Sequence, residues 1–247
     1  MRIGIITAWY NEEILAPYFL KHYDYVDEIH IFLDSDTNDS TQGICKEYPN
    51  VKITPFKFEA GFDDVIKQEN INAVVKTKTD FDWIFSLDVD EFIFPKAGSP
   101  KEVLERQTGD VMFARMWQVY RHKSDIDLDP DLPISQRCHG DSNLNGFNSR
   151  WIKPIIVRPR VEVVWNKGCH SIKCHSILNK MEICEESFLG AHWANADPEL
   201  AVSRRLVSCQ RQSENNLTHR YQLHNHNLTE EAIREQCKAH EDDPQLF

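Results

Sequence analysis

Asp88, Asp90 and Glu91 interrupt the apolar run Asp82-Trp83-Ile84-Phe85-Ser86-Leu87-Asp88-Val89-Asp90-Glu91-Phe92-Ile93-Phe94. Clustered carboxylates are hard oxygen ligands suited to Mg²⁺ or Mn²⁺. A divalent ion held there reverses the local field, so a diphosphate can sit against an acidic patch. A solvated turn is the alternative for any short acidic cluster, and an Asp-x-Asp triplet alone does not separate the two. The flanking residues bear on the choice: Trp83, Ile84, Phe85 and Leu87 before the cluster and Phe92, Ile93 and Phe94 after it should bury the chain on both sides. Carboxylates held that close to a core are costly unless a cation or hydrogen-bond donors compensate them. In open α/β sheets, ligands bind in the crevice beyond the carboxyl ends of the strands. The triplet falls where a strand should stop.

The elements that must position it are readable in the first 95 residues. Apolar runs at Ile3–Ala8, Ile29–Leu33, Val51–Pro55 and Trp83–Leu87 alternate with longer segments of mixed polarity, the signature of a parallel sheet with crossovers. Asn11 reads as a helix cap followed by Glu12 and Glu13, and Pro17 sets the regular helix from about Ala16 to Tyr23. Residues 62–78 lack Gly and Pro and predict a crossover helix. Ser99-Pro100-Lys101-Glu102 supplies a cap, a first-turn proline and a capping-box glutamate for another helix, to about Gln107.

Beyond Asp110, Val111–Tyr120 and Trp151–Val164 read as strands around a polar stretch, Ser124–Ser149, expected to be a substrate loop or lid, or else a surface loop. Asp197-Pro198-Glu199 should cap a helix to about Arg211, and Thr229-Glu230-Glu231 a last one, with Glu241–Phe247 frayed.

Size and charge narrow the function. At 247 residues with 41% hydrophobic content the chain suits a real core. A net charge of -11 argues against a general nucleic-acid binder. No apolar run is long enough to span a bilayer, Met1–Ile6 lacks a signal-peptide pattern, and seven dispersed cysteines suit a reducing compartment. The expected location is cytoplasmic, with the cytosolic face of a membrane left open although no basic amphipathic helix points there. Sequons at Asn38, Asn216 and Asn227 receive no function.

Taken in order, Thr7-Ala8-Trp9-Tyr10-Asn11-Glu12-Glu13, Leu33–Thr41 and Trp83–Phe92 resemble the three N-terminal signatures of a GT-A glycosyltransferase of the family 2 type, in the branch with an Asp-x-Asp-Glu-Phe motif. The similarity extends to Lys153-Pro154-Ile155-Ile156-Val157-Arg158-Pro159 and Gly190-Ala191-His192-Trp193, spanning roughly residues 1–205. One departure is Asp36, where the commoner pattern has glycine three positions before Asp39.

The resemblance implies a single α/β domain of GT-A fold, with a mostly parallel central sheet flanked by helices. Residues 1–95 would form the nucleotide-sugar half, 96–205 the acceptor half and 206–247 a C-terminal helical extension. It implies a metal-dependent transfer of sugar, with inversion, from a nucleoside-diphosphate sugar to a hydroxyl of a glycan, lipid-linked or protein-linked acceptor, in glycan or polysaccharide assembly. Thr7, Tyr10, Asn11 and Asp34 would line the base and ribose. Asp90 would ligate Mn²⁺ or Mg²⁺, with Asp88 on the ribose, the ion or its water, and on the same side as Asp90 if the strand continues. Glu91 would support the site or meet donor or acceptor hydroxyls. A histidine would complete the metal site, His170 slightly ahead of His192 because it follows a strand and Gly168. Inversion needs one carboxylate base; Asp141, Asp110 and Glu91 are available, with Asp141 preferred for its place in the expected lid.

Trp117, Trp151, Trp165 and Trp193 fall in the acceptor half, where one or two would meet sugar rings and the rest would pack in the core. Cys169-His170-Ser171-Ile172-Lys173-Cys174-His175 lacks the second pair of a structural zinc site. Three rival readings stay open. A sugar-phosphate nucleotidyltransferase lacks its glycine-rich loop, since residues 7–13 contain no glycine. A calcium module on Asp34-x-Asp36-x-Asn38 fails at Asp39 and Cys45. The third is a non-catalytic sugar-binding protein of the same fold.

Overall fold

The computed structural model describes residues 1–141, 152–160, 163–166, 170–174, 181–184, 187–219 and 228–247. The first part runs β1 (Ile3–Trp9), α1 (Ala16–His22), β2 (Glu28–Asp34), α2 (Thr41–Lys46), β3 (Val51–Phe56), α3 (Asp64–Val75) and β4 (Trp83–Ser86). The second runs β5 (Glu91–Pro95), α4 (Pro100–Arg106), β6 (Val111–Tyr120), β7 (His139–Gly140), β8 (Ile152–Val157), β9 (Val163–Trp165), β10 (Ile172–Cys174), β11 (Phe188–Asn195), α5 (Pro198–Gln210), α6 (Glu214–Thr218) and α7 (Glu230–Ala239).

β1 and β4 are buried along almost their whole length, because strands covered on both faces read as continuous apolar runs. They pair in parallel, Ile5 lying between Ile29 of β2 and Phe85 of β4. Among the described residues one sheet takes the order β3-β2-β1-β4-β8-β6-β11-β5, with β7 on β6, and β9 and β10 form a separate antiparallel pair. β8 is antiparallel to both β4 and β6, and β5 is antiparallel to β11. The fold is therefore the expected α/β architecture, Rossmann-like in its parallel first half, with a mixed second half joined to it. Helix ends follow side-chain chemistry. Asp63 caps α3, Ser99 and Glu102 form a capping box on α4, and Asp197 caps α5.

Several local expectations change. α1 begins after Leu15 without a side-chain cap. Asn11 instead takes a positive φ of 51° and exchanges hydrogen bonds with Asn38, its Oδ1 accepting the Asn38 N–H at 2.9 Å and its Nδ2 donating to Asn38 Oδ1 at 3.0 Å. An Asx side chain tolerates that conformation because it bonds locally. Residues 87–90 are a turn rather than strand, closed by the Glu91 N–H donating to the Asp88 carbonyl at 3.0 Å. Strand alternation therefore does not orient Asp88 and Asp90.

The stretch from Ser124 to Asp141 is not a loose lid. It wraps Arg137, which is fully buried and donates to the carbonyls of Ala196, Gln136 and Ile126 at 2.8–3.0 Å. The rest of that expected loop, like Trp151, Cys169, His175 and Asn227, lies outside the described residues. The C-terminal tail is docked rather than frayed: Leu246 N–H donates to the Cys138 carbonyl at 2.7 Å, and Phe247 packs on Phe94. Among the described residues no helix is long and apolar enough to cross a membrane.

Candidate functional site

β1, β2 and β4 run in parallel and end on the same edge of the sheet, and the loops that follow carry the acidic residues. The first two loops are zipped together by side chains. Glu12 N–H donates to Thr41 Oγ1 at 2.7 Å, Glu13 N–H to Asp39 Oδ2 at 3.0 Å, and Ser40 N–H to Glu13 Oε2 at 3.0 Å. This fixes Tyr10 and Asp34 side by side. Asp34 is buried, holds its own turn by accepting the Asp36 N–H at 2.9 Å, and turns Oδ2 toward Arg211 at 2.6 Å. The Arg211 guanidinium lies 3.4 Å from the centre of the Tyr10 ring.

The turn after β4 places Asp88 and Asp90 against different cations. Asp88 pairs with Lys67 of α3. Asp90 Oδ2 receives Arg204 Nη1 of α5 at 2.6 Å and has His192 Nε2 at 3.5 Å. The other arm of Arg204 reaches Glu12 Oε1 at 3.0 Å. His192 is itself oriented by Gln118, whose Oε1 lies 2.8 Å from its Nδ1, and the Trp193 N–H donates to the Asp90 carbonyl at 2.7 Å. Backbone and side chain together fix the Asp90–His192 pair.

Electrostatics separate these groups. Burial alone would raise the Asp90 carboxyl, but Arg204 and His192 hold it well below the usual carboxylate range. Asp88 is likewise raised by burial and lowered, on balance, by Lys67 and Lys153. At Glu12, burial outweighs Arg204 and pushes the carboxyl up to about 7. One edge of the sheet thus holds two carboxylates kept ionised and one poised near neutrality, an arrangement typical of functional sites.

Of the residues expected at the site, Tyr10, Asp34, Asp88, Asp90 and His192 gather at this edge of the sheet. Thr7 does not: it is fully buried in β1 and its Oγ1 accepts the Trp9 Nε1–H at 2.9 Å, so it cannot line a ligand as the resemblance implied. Asn11 shapes the loop through Asn38. The two oxygens of Glu91 are engaged, one by Lys153 and the other by the Asp88 N–H at 3.0 Å, so it supports the turn from beneath. Of the two histidines expected at the ion, His192 lies 3.5 Å from Asp90, whereas His170 is exposed just before β10. Asp110 lies at the opposite edge, before β6, with Arg160 3.1 Å away. Asp141 follows β7, which pairs with β6 through Gly140 and Val119, and is half-buried.

Trp165 and Trp193 are core residues, buried to 1% and 0% exposure, and cannot stack on an acceptor. Asp34, Asp36 and Asn38 turn to Arg211, Lys57 and Asn11 and do not converge on a calcium ion.

Sequence reasoning missed Glu12, Lys67, Arg204 and Arg211. Arg204 and Arg211 are seven residues apart in one helix and its cap, a spacing that predicts a shared face but not which carboxylates that face meets. Lys153 was visible only within a longer motif. Among the described residues, the group of three metal-ligating side chains whose donor atoms all lie within 4.8 Å of one another is His122, Asp125 and His139; it shares no residue with the Asp88–Asp90 crevice. The donor set at the crevice, two carboxylates and an imidazole, suits Mn²⁺ or Mg²⁺ in type. Arg204 holds Oδ2 of Asp90, the same oxygen that His192 faces.

No protein family matches the sequence, and no curated protein matches it. Among solved structures, TarS of S. aureus is similar at 15% identity over 98% of this chain and 43% of that one, with a TM-score of 0.47. A structure of TarS residues 1–349 is similar at 14% identity over 98% and 70%, with a TM-score of 0.44. A 4-diphosphocytidyl-2C-methyl-D-erythritol synthase follows at 12% identity over 64% and 75%, with a TM-score of 0.33. The chain spans less than half the length of the first of these.

Proposed function

We propose that the protein is a metal-dependent glycosyltransferase that moves a sugar from a nucleoside diphosphate to an acceptor hydroxyl with inversion. The observation that carries this reading is the convergence of Tyr10, Glu12, Asp34, Asp88 and Asp90 beyond the carboxyl ends of three parallel strands, with His192 3.5 Å from Asp90.

An aromatic face beside an acceptor-only carboxylate suits a nucleobase or ribose, which offers a flat ring and N–H or O–H donors. Asp34 accepts from those donors and Tyr10 stacks. Asp90 and His192 would hold a divalent ion, with Asp88 beside them on the ribose or on the ion's water shell. The ion, when bound, would act as a Lewis acid that neutralises the leaving diphosphate. Single displacement then needs one base at the acceptor oxygen, and Asp141 takes that role because Asp110 is at the wrong edge and Glu91 is committed to Lys153. The acceptor is a glycan or a lipid-linked or protein-linked hydroxyl, met on the β6–β11 side of the crevice.

The test is product analysis. Incubation with nucleotide sugars, Mn²⁺ and an acceptor should release nucleoside diphosphate. Release of pyrophosphate from nucleotide and sugar phosphate would instead mark nucleotidyl transfer, and neither product would leave a binding protein.

A further inference from the structure

Two guanidiniums cover the residues of the proposed donor site, and both come from one element. Arg204 lies within α5 and Arg211 at its C-cap, about two turns and roughly 10 Å apart along the axis. Arg211 presents a planar, N–H-donating group that covers the Tyr10 ring at 3.4 Å and donates to Asp34 at 2.6 Å. Those are the contacts a nucleobase bearing a ring N–H would make. Arg204 puts its charge on Asp90 and Glu12, where the divalent ion of the proposed reaction belongs.

The way α5 is held differs from the rest of the core. Ala201 and Val202 of α5 pack with Ile233 and Cys237 of α7 in a small apolar cluster, while Leu200, at the start of the helix, belongs to the main core. Toward the crevice, by contrast, α5 reaches with charged side chains. The chain after it is fastened by polar bonds: Phe62 N–H donates to the Arg211 carbonyl at 2.6 Å, and Asn216 bonds Phe62 and Asp64. A buried carboxylate that loses its cation must be given another, because an uncompensated buried charge is costly, so an arginine can leave Asp90 or Asp34 only as a ligand's cation or donors arrive. The buried apolar residues of α5 lie in its first turns, Leu200 in the main core and Ala201 and Val202 against α7, whereas the crevice-facing contacts of its last two turns are ionic.

Building on the donor-site reading above, we infer that α5 is an internal plug of that site. Arg211 stands in for the nucleobase on Tyr10 and Asp34, Arg204 stands in for the cation on Asp90, and a nucleoside diphosphate with its divalent ion binds by displacing both. The protein is thus built in a self-inhibited state that its own donor opens.

The experiment compares the full-length wild type with the double variant Arg204→Gln, Arg211→Gln. Each is titrated calorimetrically with uridine, guanosine, cytidine, adenosine and thymidine diphosphates in Mn²⁺. The plug predicts that the diphosphate bound by wild type binds the double variant about tenfold tighter or more. Equal or weaker binding in the variant overturns the plug, making the arginines ordinary ligands or bystanders, while the donor reading stands. No binding by either protein overturns both. Should the variant fail to fold, amide exchange on wild type decides. Exchange across residues 198–211 should quicken when the diphosphate and Mn²⁺ are added, and slowing or no change contradicts the plug.

Discussion

In the parallel first half of the sheet, around β1 and β4, the two edges carry acidic residues in opposite ways. At the amino-terminal edge, Asp80 pairs with Arg2, and Asp82 accepts the Arg2 N–H at 2.6 Å. These carboxylates are half exposed, and Asp80 is 58% open to solvent. At the carboxyl-terminal edge, Asp34, Asp90 and Glu12 are buried, Asp90 to 9%, and their cations arrive from residues 204 and 211. Exposed pairs are screened and contribute little, whereas buried pairs carry a desolvation cost that stability alone does not justify. Charge gathered at one edge at such cost is what the proposed donor site would draw on.

The largest expected effect in breaking that contrast falls on the ion. His192→Ala should weaken Mn²⁺ binding roughly ten- to a hundredfold, with His170→Ala near wild type, read by metal titration in the presence of nucleotide. Equal effects would remove His192 from the site.

A second test concerns the frame beside it. A Cβ on Gly140 would come 2.1 Å from the backbone oxygen of Gln118, a clash that no side-chain rotation relieves. Gly140→Ala should therefore cost about 1–3 kcal/mol and displace Asp141, lowering turnover along with the melting temperature. Unchanged melting would show that β7 does not hold that register.

A pH test sharpens the electrostatics. Glu12, raised by burial from 4.5 to about 7, favours the fold when protonated. Its contribution is complete below 4.5 and is lost as pH rises through 7. His30, lowered from 6.5 to about 4 mainly by burial, does the reverse. Its contribution is present above 6.5 and is lost as pH falls toward 4, and His22, lowered by burial, adds to it. The two trends oppose each other between 4.5 and 6.5 in wild type. Glu12→Gln should unmask the histidines, so that the variant's melting temperature rises across that window more steeply than wild type. Parallel curves would contradict the buried carboxyl. The smallest effect belongs to the other edge, where Asp80→Ala should cost less than about 1 kcal/mol by denaturant unfolding.

Much of this frame was legible in the sequence because it is local. The buried parallel strands announce themselves as apolar runs, and Asp63 apart, the caps of α4, α5 and α7 stand in the sequence as Ser99-Pro100, Asp197-Pro198 and Thr229. The Asp88–Asp90 turn was placed by where its strand stops. What was not legible depends on partners far along the chain. β5 and β11 form an antiparallel pair, His192 opposite Glu91, that neither segment signals by itself. Thr7 looked available until Trp9 claimed its hydroxyl. The pairings of Arg204 and Arg211 span more than 100 residues, and no local spacing encodes them.

The central claim is that Asp90, with an ion, anchors a nucleotide sugar. Thermal melting of wild type and Asp90→Ala with a panel of nucleotide sugars, with and without Mn²⁺, tests it most directly, since a ligand bound only by the folded state raises the melting temperature. At least one sugar nucleotide should stabilise wild type only when Mn²⁺ is present and leave the folded variant unmoved. Equal stabilisation of both proteins, or of wild type without the ion, would contradict it.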